Sequence, residues 1–131
     1  MKQETIQQRS IRIIKKLQSK YPGKDTFDLD GRSNHFVCEI EPTIEHPNYD
    51  RAIEVVIASK PHKHLKTAQH YNIISGTLVL YLNKNSITLH PGDKYTVKPG
   101  IIHWATSSNE CWVEVLSRPG WTKEDHIPIN R

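Results

Sequence analysis

Three histidines and a glutamine in the middle of the chain have the types and spacing for metal chemistry. His62 and His64 stand one residue apart in PHKHLKTAQHYNIISG. Alternate side chains of a β-strand share a face, so both imidazoles can enter one cavity. Gln69 and Gly76 follow, and in HPGDKYTVKPGIIHW Gly100 supplies a turn and His103 a third imidazole. Three neutral imidazoles converging on a point hold one divalent transition metal, Fe, Mn, Ni or Zn, with positions left open for water or substrate.

These residues resemble the two-part signature of the cupin superfamily. Its first part runs from a Gly through H-x-H and a Glu to a second Gly. His62, His64 and Gly76 match it, Gln69 takes the Glu place, and Val56 stands where the leading Gly would be. In the second part Gly92, Gly100 and His103 match, Pro99 is displaced by one residue, and Ser107 replaces an Asn. The resemblance implies an all-β, cupin-type double-stranded jelly-roll β-barrel with a metal pocket. It implies little about reaction, because one fold hosts many chemistries. At the Glu place, Gln69 offers a neutral carbonyl oxygen, a poorer ligand than a carboxylate. Direct ligation and a hydrogen bond to a metal-bound water or a neighbouring imidazole both fit it.

Strand alternation sorts the neighbours. If Gln69 points inward, His70 points outward and Tyr71 returns to the cavity, as a wall residue or a hydroxyl for substrate. Lys60 shares parity with His62 and is the candidate cation at the pocket rim, provided Pro61 leaves the strand unbroken. In CWVEVLS at 111 to 117 the smaller apolar set, Cys111, Val113 and Val115, makes the better interior. The other register would bring Glu114 to the pocket as a base. Trp104 alternates away from the metal, and His35, His46, His90 and His126 receive no role.

The elements that must position this site are short strands between turn residues. They read as 27 to 29, 35 to 40, 52 to 58, 70 to 75, 77 to 82, 86 to 89, 94 to 97, 101 to 105 and 111 to 117, with H-x-H as a further extended piece. Regular short strands mean a sandwich or barrel, in agreement with the resemblance. Before them, Thr5 and Gln8 form a capping box for a helix with Ile6, Ile13, Ile14 and Leu17 on one side, ended at Tyr21-Pro22-Gly23. Residues 1–24 are thus an N-terminal helix and linker, packed on the barrel or on a partner, and 25–131 a single barrel domain with a C-terminal tail. A homodimer is the expected assembly. The tail reads as a short turn capped by Thr122, with Trp121 against the barrel.

The 131 residues suit one domain. No apolar run is long enough to cross a bilayer, and the polar start lacks the core of a signal peptide, so the expected location is cytoplasmic, without membrane contact. The net charge of +4 is spread along the chain, without the basic blocks and interleaved aromatics of nucleic-acid binders, so no nucleic acid is expected. Cys38 and Cys111 form no CxxC pair and read as small buried residues.

The expected function is a metalloenzyme acting on a small polar or anionic metabolite, with dioxygenase chemistry favoured from family precedent. The alternatives are a metal-dependent sugar or sugar-phosphate isomerase or lyase, and a non-catalytic small-ligand binder, the last argued from the lack of a second acid or base in the motif.

Overall fold

One strand ties the barrel together. It runs from His103 to Arg118, sixteen residues, and pairs with four others. In the computed structural model, which describes residues 3–129, the order is α1 (Ile6–Lys20), β1 (Thr26–Asp28), β2 (His35–Glu41), β3 (Asp50–Ala58), β4 (His62–His64), β5 (Ala68–Ser75), β6 (Leu78–Leu82), β7 (Asn85–Leu89), β8 (Lys94–Val97), β9 (His103–Arg118) and β10 (His126–Pro128). The ends of the expected segments, 1–2 and 130–131, lie outside the described residues.

The sequence reading splits β9 in two at Ser107 to Glu110. The strand is instead continuous, because each half has its own partners. The half from His103 to Thr106 pairs with β6 and meets β4 at His62, and the half from Cys111 to Ser117 lies between β3 and β5. The polar SSNE stretch marks the passage between the two halves, where the β3 pairing shifts register between Val56 and Ala58. Paired on both sides, β9 draws the strands into one curled sheet, and its inward residues Cys111, Val113 and Val115 join Val56, Ile73, Leu78, Leu80, Leu89, Val97 and Ala105 in the barrel core. A Cβ on Gly76, whose φ is +80°, would meet the Glu110 carbonyl oxygen at 2.3 Å, so the close approach of the β5–β6 turn to β9 requires glycine there.

A second core lies outside the barrel. The helix carries the expected capping box, with Thr5 accepting from the Gln8 N–H and Gln8 from the Thr5 N–H. It buries Ile13 and Leu17 completely against Phe36, Cys38, Ile53, Val55 and Trp112, while Ile14 is half-buried. Ile6, expected on the buried side, is 63% exposed. The contacts of Ile13 and Leu17 seat the helix on the outer face of the barrel. Cys38 is buried under the helix, Cys111 in the barrel, and both are free thiols.

This outer core inverts the usual polarity of a barrel wall. In β2 and β3 the large apolar residues Phe36, Cys38, Ile53 and Val55 face the helix, so alternation turns His35, Glu39, Asp50 and Glu54 into the barrel. Among the described residues no helix is long and apolar enough to cross a membrane.

Candidate metal centre

His62, His64 and His103 converge inside the barrel. Their nearest ring nitrogens lie within 4.8 Å of one another, and all three side chains are buried. The convergence follows from pairing: His62 and His64 share a face of β4, and His103 opens β9 directly opposite His62. Gly100, at a φ of +85°, turns the chain into β9, and its N–H donates to the His64 carbonyl at 2.6 Å.

The tautomers suit a ligand set. His62 Nδ1–H donates to the Lys60 carbonyl at 2.8 Å, and His103 Nδ1–H to the Ile101 carbonyl at 3.0 Å. A carbonyl only accepts, so each ring keeps its Nε2 lone pair for the cavity. Both nitrogens of His64 are buried without a hydrogen-bond partner among the described residues, a costly state that a cation at the centre would relieve. Burial, and then the neighbouring imidazoles, push His62 down to about 2. Burial also pushes His103 down to about 4 and lowers His64. The triad is therefore neutral near pH 7 and ready to ligate.

Gln69 also reaches the centre. Its Oε1 lies 3.1 Å from His103 Nε2, and its Nε2 donates to Ser117 Oγ at 3.3 Å. With His103 Nδ1–H committed to Ile101, two acceptors face each other. The metal-free pair is satisfied only if the amide turns over, whereas a cation between them satisfies it as it stands. The residues present fit one divalent metal: three imidazole nitrogens with the Gln69 carbonyl oxygen beside them.

The remaining expected site residues separate. Tyr71 lines the cavity, its ring 6.5 Å from that of His103, and burial raises its phenol well above the ordinary range. His70 faces outward to Thr96, and Trp104 stacks on Tyr81. Lys60 is exposed and lines the mouth of the cavity. Glu114 is turned away from the pocket, bonded to Arg51 at 2.7 Å on the outer face, so the register that would make it a base is not the one formed. The smaller apolar set of β9 takes the interior.

Two histidines given no role from sequence belong to the same cavity. His35 pairs with Glu54 there, and His126 stacks on His62 with centroids 4.3 Å apart and rings 10° from parallel. Burial alone would lower His35, but Glu54, with Asp30 and Asp28, outweighs it and the pKa is raised. Glu39 and Asp50 line the same cavity; burial, and then repulsion from Asp50, pushes Glu39 up to about 8, while burial raises Asp50 against the hydrogen bonding of Glu39 and Thr43 that works to lower it. A signal for His35 existed only in the strand and the helix taken together: Phe36 and Cys38 need an apolar neighbour, and the amphipathic helix is that neighbour. His126 gave no such signal, since its strand was read as tail. The tail does begin with the expected turn, Asp125 N–H donating to Thr122 at 3.2 Å, and then enters β10 opposite His64.

This curled sheet around an interior histidine triad is the cupin-type double-stranded β-helix. Among solved structures the chain is similar to Streptomyces PAC13 with uridine, at a TM-score of 0.71 and 18% identity over 84% of this chain and 88% of that one. Pac13 is described as a nucleoside dehydratase. KdgF from Halomonas sp. aligns at a TM-score of 0.63 and 19% identity, covering 77% of this chain and 91% of that one. Ectoine synthase from P. lautus aligns at 0.66 and 11%, covering 86% of each. Likeness at this identity defines the fold. No family model matches the sequence, and no curated protein matches it.

Proposed function

We propose that the protein is a metal-dependent lyase that removes water from a small, polar, oxyanion-bearing metabolite, by proton transfer within the barrel. The observation that carries this reading is the His35–Glu54 pair, an acid–base couple lining the same cavity as His62 of the triad and Gln69. Its place in the cavity supplies what the metal motif lacks, and so weakens the case for a non-catalytic binder. The same residues favour proton transfer over the dioxygen chemistry that family precedent suggests, since an elimination needs both a proton acceptor at carbon and a donor to the leaving hydroxyl.

His62, His64 and His103 would hold the metal, with Gln69 beside them. A bound divalent metal supplies Lewis acidity towards a carbonyl or carboxylate oxygen. His35, kept protonated by Glu54, donates to the departing hydroxyl. The Glu39–Asp50 pair, both of whose carboxyls burial raises, accepts the proton taken from carbon. Tyr71 offers its hydroxyl, un-ionised at any physiological pH, as a donor to a substrate oxygen. Isomerisation of a hydroxy-carbonyl compound would use the same groups without loss of water. That structural neighbours include a nucleoside dehydratase supports the lyase as the first choice.

The test is solvent exchange. Protein loaded in turn with Zn, Mn, Ni and Fe is incubated in D2O with a panel of sugar acids, hydroxy acids, sugar phosphates and nucleosides. Deuterium uptake at carbon, or loss of water, is followed by mass spectrometry. Metal-dependent exchange that disappears in both His35→Gln and Glu54→Gln is the expected result. Exchange that survives both substitutions, or turnover that consumes dioxygen instead, overturns the proposal.

A further inference from the structure

A fourth imidazole lies against the triad, and its hydrogen bonding sets it apart from a ligand. Trp121 Nε1–H donates to His126 Nδ1 at 3.1 Å. An indole nitrogen only donates, so Nδ1 is an acceptor and the neutral ring carries its proton on Nε2. A ring held this way offers an N–H at its remaining edge and has no lone pair there for a metal. The three residues whose nitrogens cluster as a metal site are His62, His64 and His103, without His126.

The ring is firmly placed. It lies flat on His62, and its strand pairs with β4 at His64. The preceding residue, Asp125, accepts from the N–H groups of Leu65, Lys66 and Thr67 at 3.0 to 3.1 Å, which pins the tail to the β4–β5 turn.

Space decides what such a donor meets. The inner cavity measures about 60 Å³ and the mouth about 380 Å³. A metabolite can therefore send only its reacting end inside, and its body must lie in the mouth. His126 lines both spaces, at their junction. Among the described residues the mouth also carries Lys60 and Lys123 against a single carboxylate, Asp30, an excess of positive charge.

We propose that His126 is a substrate-binding residue, an N–H donor fixed in that tautomer by Trp121, which with Lys60 and Lys123 takes an oxyanion of the substrate in the mouth of the barrel. The shared chemistry is that of a carboxylate or a phosphate. Trp121 is a positioning residue: it acts through the ring it holds. The inference rests on the metal-centre reading only for where the reacting end goes; the tautomer and the anion subsite stand without it.

Nitrogen-15 spectra of histidine-labelled protein, metal-free and zinc-loaded, read the tautomer directly. His126 should be protonated at Nε2 in both forms, and Trp121→Phe should release it into a mixture of tautomers. Titration with inorganic phosphate and with acetate should shift the His126 Nε2 resonance, and the stronger response identifies the source of the oxyanion. Affinity for that anion should fall about tenfold in His126→Phe and several-fold in Lys60→Ala and Lys123→Ala. His126→Gln, which keeps an N–H donor, should retain most of it, and zinc affinity should be the same in His126→Phe as in the wild type. An Nδ1–H tautomer, equal anion binding by wild type and His126→Phe, or a loss of zinc in His126→Phe as large as in a triad variant overturns the proposal. Wild-type protein that takes up no zinc overturns the metal reading instead, and the tautomer and anion titrations still decide this one.

Discussion

Gln69 Oε1 faces His103 Nε2 at 3.1 Å, acceptor against acceptor, inside a barrel that offers no water-exposed alternative to either. A carboxylate at this position would give a cation an anionic oxygen, and the amide gives it a neutral one. Gln69→Glu should therefore tighten zinc binding by about 1 to 2 kcal/mol, the order expected for pairing a charge in a partly wet cavity. Titration of metal-free wild type and variant at one pH checks this. Unchanged affinity would mean that Gln69 takes no part in the centre.

Removal of a triad imidazole should cost metal and leave the barrel folded. His64→Ala is the informative variant, because neither ring nitrogen of His64 has a hydrogen-bond partner to lose among the described residues. Elemental analysis after purification, paired with circular dichroism, should show metal content falling by more than tenfold with native secondary structure retained. Full metal retention in the double variant His62→Ala, His103→Ala would refute the assigned centre.

The pH dependence should separate metal affinity from stability. Free imidazoles titrate near 6.5, whereas the folded protein holds His103 at about 4 and His62 at about 2. His64 is lowered as well, so native zinc affinity should change little as pH falls through 6.5 and decline only below it, as the triad begins to protonate. Global stability of the metal-free protein behaves differently. Below about pH 6.5 the unfolded chain binds protons that native His62 and His103 refuse, so the contribution of these two residues declines steadily as pH drops towards their folded values. The raised His35 acts in the opposite sense, its contribution being complete at low pH and lost as pH rises through its folded pKa. Metal titrations and urea unfolding at matched pH distinguish the two curves. Metal affinity that begins to fall at pH 6.5 would show the triad to be solvated.

Asp125 should govern the tail. Its carboxylate accepts from three consecutive backbone N–H groups, so Asp125→Ala leaves these donors unpaired and should destabilise the protein by about 1 to 3 kcal/mol in urea unfolding. Because β10 carries His126 beside the triad, hydrogen exchange should also quicken at Ile127, whose strand pairing with Lys63 depends on the same anchor. Protection unchanged at Ile127 would make the clamp incidental.

Local pattern, together with the family resemblance, made the barrel and the triad legible. Period-two alternation, Gly76 and Gly100 at turns, and the spacing of His62, His64 and His103 are short-range features, and a strand cannot turn His62 inward without turning His64 with it. The capping box and the inward Tyr71 were legible for the same reason. Tertiary structure alone decided the rest. The polar wall of His35, Glu39, Asp50 and Glu54 exists because the helix claims the opposite face of β2 and β3, and no single strand records which of its faces a distant helix will cover. The continuity of β9 through the polar SSNE stretch depends on partners in two halves of the sheet. His126 reaches the centre because a tail of ordinary composition becomes the strand beside β4, an outcome fixed by Asp125 binding a turn some sixty residues earlier. Residues that share an element were brought together by backbone geometry. Those that met across elements were placed by the burial of surfaces that become neighbours only once the chain has folded.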